Sequence, residues 1–413
     1  MTNIRKAISV LMAFCLLEGC ASAQWYLFPG KKKAVTEQTT TGEAVNASEV
    51  RDTTLTSLSE LTGSAQELSR EQEEFVLDMP EVINVTLAIP MNASSSKPSS
   101  NFLEMYCGAL MAVRDLASDG LKISLQAVDT KEGTGLTDRD ILSSDVLIGP
   151  VSYDEVLLAA TVSDGKAVVS PLEPKTAALV DSMNVVQSPT SWMMQINELV
   201  DWISEEMLLN DEIIVIKDSN EEGVGEQARY LLDRIDRSRL RHTVVSSLSE
   251  AGINRYHNYR ILIASDRDAF ITSVVRAVGI AGQSADNNVT LYCTSRVRSA
   301  VGSNIIDLHN ASTRLTASYH IDYDNAATKS FILSYRALFN DDPSSFAFQG
   351  YDAVKYYVRM CSIYGRQWYK KLPERSERGL QADFRFSGEV GSGKQNVAIR
   401  RVIYNKDLST TLK

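Results

Sequence analysis

From Ile83 to Tyr319 the chain repeats one unit: a short apolar run, a turn, then an amphipathic helical stretch. That alternation predicts βαβ units, and therefore parallel sheets with helices on both faces. Such sheets hold ligands in a crevice outside the carboxyl ends of their strands. The pattern runs through two halves of similar rhythm, and a single core rarely grows beyond ~250–300 residues. In a chain of 413 residues, two lobes with a cleft between them are expected.

The strands follow from period-two alternation. Ile83, Val85, Leu87 and Ile89 alternate with Asn84, Thr86 and Ala88 and stop at Pro90, which predicts the first strand. A helix begins near Asn101, with Glu104 completing a capping box. Further strands are predicted at 123–128, 146–148, 167–169 and 185–186. A longer helix over 190–209 leads into the second lobe, whose strands lie at 213–216, 242–245, 261–264 and 289–292. Leu315 to Ile321 leads back out, and helices follow near 326–339 and 350–363. Ala382–Ser387 and Val397–Tyr404, separated by turn residues, read as a terminal β-hairpin.

The N-terminus reads as an export leader, residues 1–20. Arg5 and Lys6 precede an apolar stretch, Ala7 to Leu17, too short to span a bilayer. Leu17-Glu18-Gly19-Cys20 is similar to a bacterial lipobox, which would make Cys20 a lipidated N-terminus; Ala21-Ser22-Ala23 offers ordinary cleavage instead. Residues 21–81 are polar, with a weak helical pattern at Leu55, Leu58, Leu61 and Leu68, and are expected to form a partly helical tether. The expected location is the bacterial periplasm, lipid-anchored to the outer membrane. Beyond the leader three cysteines remain, Cys107, Cys293 and Cys361. An odd count argues against a full disulfide framework, while a Cys107–Cys361 bridge stays open.

A formal charge of −10 leaves no basic field for phosphate backbones, so nucleic acid is not an expected partner. No cofactor or metal is expected: the four histidines show no H-E-x-x-H spacing, and there is no Cys-x-x-Cys pair or Gly-x-Ser-x-Gly elbow. Gly388 to Lys394 fits the phosphate-loop spacing, but Gln395 replaces the hydroxyl residue and a strand follows rather than a helix. Ser94-Ser95-Ser96-Lys97 lacks the companion motifs of a serine acyl-transfer site. A non-catalytic protein is expected.

With Phe348-Gln349-Gly350-Tyr351-Asp352-Ala353-Val354 before a late helix, Ile148-Gly149-Pro150-Val151-Ser152, Val169-Ser170-Pro171 and Lys217-Asp218, the order of elements resembles the type I periplasmic binding proteins, especially the branched-chain amino-acid receptors. The resemblance covers residues 82–413. It implies three crossings between lobes, with 82–190 and 320–372 in lobe 1 and 191–319 and 374–413 in lobe 2. It also implies a ligand in the cleft.

Ser152 matches a ligand-binding hydroxyl of that family; with Glu155 it also forms a capping box, whose plain meaning is a helix N-cap. If that helix end faces the cleft, its free N–H groups favour an anion. Glu173 on the neighbouring loop would meet a cation. Tyr153, Trp192, Glu222 and Arg296 are cleft-lining candidates by position. The family pattern is altered at Leu172 and Pro174, in Asn220-Glu221-Glu222-Gly223 and in Thr294-Ser295-Arg296, and Val245 to Ile261 is short for a helical connection. Two functions follow: a small-ligand binder, or a protein-interaction module regulating peptidoglycan synthesis, since lipoproteins that activate penicillin-binding synthases carry a similar domain on a tether.

Overall fold

The computed structural model describes residues 77–131, 135–284, 287–302, 304–389 and 392–413. The leader, Cys20 and nearly all of the tether, up to residue 76, lie outside the described residues.

The first five strands are β1 (Ile83–Ile89), β2 (Ile123–Asp129), β3 (Val146–Ile148), β4 (Val168–Ser170) and β5 (Val185–Gln187). Next come β6 (Asp211–Lys217), β7 (His242–Val245), β8 (Asn258–Ala264), β9 (Asn288–Thr294) and β10 (Arg314–Ala317). The remainder are β11 (Glu377–Arg378), β12 (Asp383–Phe384), β13 (Phe386–Ser387), β14 (Lys394–Asn396), β15 (Arg400–Tyr404) and β16 (Thr410–Leu412). They form two seven-stranded sheets, ordered β13-β14-β5-β4-β3-β1-β2 and β16-β15-β10-β9-β8-β6-β7, plus the β11-β12 pair. All ladders among the first five strands, and among β6 to β10, are parallel.

The expected terminal hairpin does not form. β13 pairs with β14, and β14 lies parallel to β5 in the first sheet, whereas β15 pairs antiparallel with β10 in the second. The segment 374–413 therefore divides between the sheets, and the third crossing falls between Asn396 and Arg400. Strands of two or three residues carry too little periodicity to reveal which sheet they join.

The helices that position the site are α1 (Ser100–Ser118), α2 (Tyr153–Val162), α3 (Trp192–Glu206), α4 (Glu226–Arg237), α5 (Asp268–Gln283), α6 (Ala326–Phe339) and α7 (Ser345–Tyr364). Phe348 to Val354 lies inside α7, not ahead of it. Its glycine is a packing device. A Cβ on Gly350 would stand 1.9 Å from the carbonyl oxygen of Met105, and one on Gly108 would stand 1.8 Å from that of Ala347. Thus α1 and α7 meet backbone to backbone, sealing the first core around Trp368, Tyr357 and Phe348.

The expected capping box at Glu104 is absent. Ser99 is the N-cap, without a side-chain bond, and Glu104 instead accepts from the Ser344 amide at 2.9 Å, at the N-cap of α7. In the second lobe the short β7–β8 connection holds only a 3₁₀ turn, Leu248–Ala251. Cys107, Cys293 and Cys361 are buried free thiols, so the open Cys107–Cys361 bridge is not formed. Burial pushes the thiols of Cys107 and Cys361 up to about 12, which makes them poor nucleophiles. Among the described residues no helix is long and apolar enough to cross a membrane.

Candidate functional site

The chain passes between the sheets three times, after β5, after β10 and after β14, and these passages form a hinge. Polar side chains fill it. Ser188 shares a hydrogen bond with the Tyr357 hydroxyl at 2.9 Å, and Asn396 Nδ2 donates to the carbonyls of Ser188 at 2.9 Å and Asp383 at 2.8 Å. Thr190 and Ser318 share a hydroxyl contact between the first and second passages. Gln349 Nε2 donates to Pro171 O at 3.2 Å and to the Tyr319 hydroxyl at 3.4 Å, and its Oε1 accepts from Gln381 at 3.0 Å.

Two buried charges hold this network. Asp352 accepts from the backbone amides of Leu380, Gln381 and Ala382 at 2.8, 2.7 and 3.0 Å. Burial pushes its carboxyl up to about 6 against the pull of those three amides. Arg400 spreads its guanidinium over Asp383 and the carbonyls of His320, Gly379 and Leu380. Asp352 was legible as part of a motif, but its role was not. Arg400, Asn396, Thr190 and Ser318 carry no sequence signal, because their partners are far away in the chain.

At the carboxyl ends of the second sheet, the charges are spent within the lobe. Asp218, 2% exposed, accepts from Arg267 at 3.0 and 2.8 Å, from Ser265 at 2.9 Å and from the Asn220 amide at 3.0 Å. Burial alone would raise its carboxyl, but these donors outweigh it and hold it below the usual range. Asp266 accepts from the amides of Gln227 and Ala228 at 3.2 and 3.0 Å, so it already occupies the N-terminus of α4. Gly223 and Gly225 make room: a Cβ on either would sit 2.3 or 2.2 Å from the Asp218 or Asp266 carboxylate. The cavity lined there by Ser265, Asp266, Thr294 and Arg296 is ≈ 30 Å³, room for about two waters and too small for an amino-acid side chain.

Apart from Glu222, the predicted site residues are engaged inside their own lobe. Ser152 caps α2, accepting from the Glu155 amide at 3.4 Å and donating to its carboxylate; it is exposed. Tyr153 is half-buried against the small core of Val156 and Ala159. Glu173 caps the 3₁₀ turn Pro174–Leu179 by accepting from the Lys175 amide at 2.9 Å. Trp192 packs edge-on to Tyr230 with centroids 5.4 Å apart. Glu222 is exposed on the turn capped by Asn220. Arg296 pairs with Asp268 at 2.7 Å and donates to Asp266 O at 2.6 Å. Among the described residues no hydrogen bond or ion pair joins one of these six to another. Leu172 and Val151 are half-buried against the first core. The phosphate-loop lysine, Lys394, is buried and donates to the carbonyls of Glu389, Ser392 and Gly393 at 2.6, 2.7 and 3.2 Å.

Among the described residues no three His, Cys, Asp or Glu side chains gather as metal ligands. Two mostly parallel, helix-flanked sheets joined by three crossings make this a two-lobed type I periplasmic binding protein fold. A putative branched-chain amino acid ABC transporter protein from Rhodospirillum rubrum matches with a TM-score of 0.54 at 13% identity, over 82% of this chain and 100% of that one. A substrate-binding protein from Desulfitobacterium hafniense in complex with Leu aligns at 0.46 and 16% identity, over 80% and 100% of the two chains. The C-domain of LpoA from Haemophilus influenzae, a regulator of PBP1A, aligns at 0.45 and 12% identity, over 80% and 99%. At such identities the likeness is one of fold. No protein-family model matches the sequence, and no curated protein matches it either.

Proposed function

We propose that this chain is a non-catalytic, exported envelope protein in which the type I binding-protein scaffold serves as a docking module for an envelope protein, not as a trap for a free amino acid. The observation that carries this reading is the internal use of Asp218 and Asp266: the second lobe's strand-end carboxylates are taken by Arg267 and by α4. The four acceptor sites of Asp218 are filled by two guanidinium bonds, the Ser265 hydroxyl and the Asn220 amide, which leaves none for a ligand ammonium. The leader, Arg5 to Leu17 ahead of Cys20, supports export, with lipidation of Cys20 as the means of anchoring.

A second reading, capture of a small solute in the cleft, is favoured by the fold itself and by Ser152 exposed at the N-terminus of α2. Photocrosslinkers placed at Ser152 and Glu222, combined with leucine titration of the purified protein, separate the two. The docking reading expects one reproducible crosslinked envelope protein and no saturable response to leucine. Saturable leucine binding without a crosslink overturns it in favour of the second.

A further inference from the structure

A second cavity, ≈ 510 Å³, has none of the strand-end residues described above in its lining. That volume suits a metabolite-sized ligand. It is lined from both lobes: α6, α7 and the 377–384 segment supply one wall, and Thr410, Thr411 and Leu412 on the edge strand β16 supply the other.

Its charges can be struck off in pairs. Arg359 pairs with Glu377 at 3.1 Å and Asp119 at 3.6 Å, and Asp324 pairs with Lys329 at 3.4 Å. Arg400 is taken by Asp383, and Asp352 by three amides. Two cations remain. Lys355 donates to the Tyr351 hydroxyl at 2.7 Å and lies 4.7 Å from its ring centroid, without an ion pair among the described residues. Arg378 has neither an ion pair nor a side-chain hydrogen bond among them. Against these stands Asp322, whose Oδ1 takes the Asp324 amide in its own turn. Over the whole lining four carboxylates meet four cations; what the wall offers a ligand is the two cations, Lys355 and Arg378, that carry no ion pair among the described residues. Opposite it, Thr411 Oγ1 accepts from Asn405 at 3.0 Å and keeps its proton to donate, while Thr410, its neighbour along the strand, presents its side chain to the other face of the sheet.

We propose that this cavity binds a small organic anion, its carboxylate or phosphate held by Lys355 and Arg378 of the first lobe and by the Thr411 hydroxyl of the second. The occupant bridges the lobes. Its affinity therefore depends on the hinge angle, and binding shifts the population of lobe orientations. The site is separate from the strand ends, so it stands or falls independently of the docking reading.

Calorimetric titration of the full chain with citrate, and in parallel with inorganic pyrophosphate, tests it. Saturable binding of at least one probe is expected; a response to citrate alone assigns a carboxylate ligand, and one to pyrophosphate alone a phosphate. In the K355Q/R378Q double variant the affinity should fall at least tenfold while the urea midpoint stays put, and in T411V it should fall severalfold. Absence of saturable binding to both probes, or parental affinity in either variant, overturns the proposal.

Discussion

Arg400 and Asp383 are locked together at the third crossing: the Nε and Nη2 of Arg400 both donate to Asp383 Oδ1, at 3.1 and 2.6 Å. The arginine is only 4% exposed, and its remaining donors reach Gly379 at 2.7 Å, Leu380 at 3.1 Å and the His320 carbonyl. One guanidinium thus ties the second crossing, the third crossing and the turn that Asp352 grips.

Arg400→Met should therefore cost on the order of 3–5 kcal/mol, because it strands a carboxylate and three carbonyls without their donor. A urea denaturation curve reads the loss. Arg400→Lys should recover less than half of it, since one ammonium lacks the planar fork. A Met variant within about 1 kcal/mol of the parent would show that the hinge does not depend on this residue.

Gly350→Ala forces α1 and α7 apart at the 1.9 Å approach to Met105 O, with an expected cost of about 1–3 kcal/mol. Gly108→Ala strains the same seam, so the double variant should lose less than the sum. Additive losses would mean that the two contacts relax separately.

His320 gives a pH dependence of known sign. Burial, then the neighbouring Arg400 charge, push its imidazole down to about 4. An unfolded histidine titrates near ~6.5, so between these values the unfolded chain binds more protons than the folded one. Its neutral burial costs nothing above the unfolded value, and stability is lost as pH falls through the window toward 4. Asp352, raised to about 6, acts oppositely over an overlapping range, so the raw pH curve mixes the two. The difference between parent and His320→Gln isolates the histidine: the variant should gain roughly 2–3 kcal/mol relative to the parent between pH 7 and 4. A flat difference curve would contradict the assignment.

Arg267→Ala leaves Asp218 as a buried carboxylate without its cation, with an expected cost of about 2–4 kcal/mol. Adding Asp218→Asn removes the stranded charge and should restore part of the loss. If Arg267→Ala were neutral, Asp218 would be available to a ligand, and the main support for the docking reading would go with it.

Much of the chain was legible because its signals are local. The alternation through Ile83 to Ile89, the apolar spacing through Ala326 to Phe339 and the run His242 to Val245 all stand where their patterns placed them. The Ser152–Glu155 capping box is present as read. Glu104 misled because a carboxylate three residues into a helix can also serve another segment, and here it meets Ser344 across the α1–α7 seam. The environments of the candidate site residues were hidden for a related reason: position relative to a strand end says that a side chain is near a cleft, not whether a neighbour already engages it, as Asp268 engages Arg296.

By itself the sequence determined the order and kind of the elements, and through them the two-lobed parallel architecture, because periodicity and capping act over a few residues. Only the tertiary structure decided that β14 joins the first sheet and β15 the second, that Arg400, Asp352 and Asn396 bind the hinge, and that Asp218 and Asp266 are already taken. Those outcomes depend on which polar groups from distant parts of the chain meet as water is excluded. Burial requires each of them to find a partner, but does not say which.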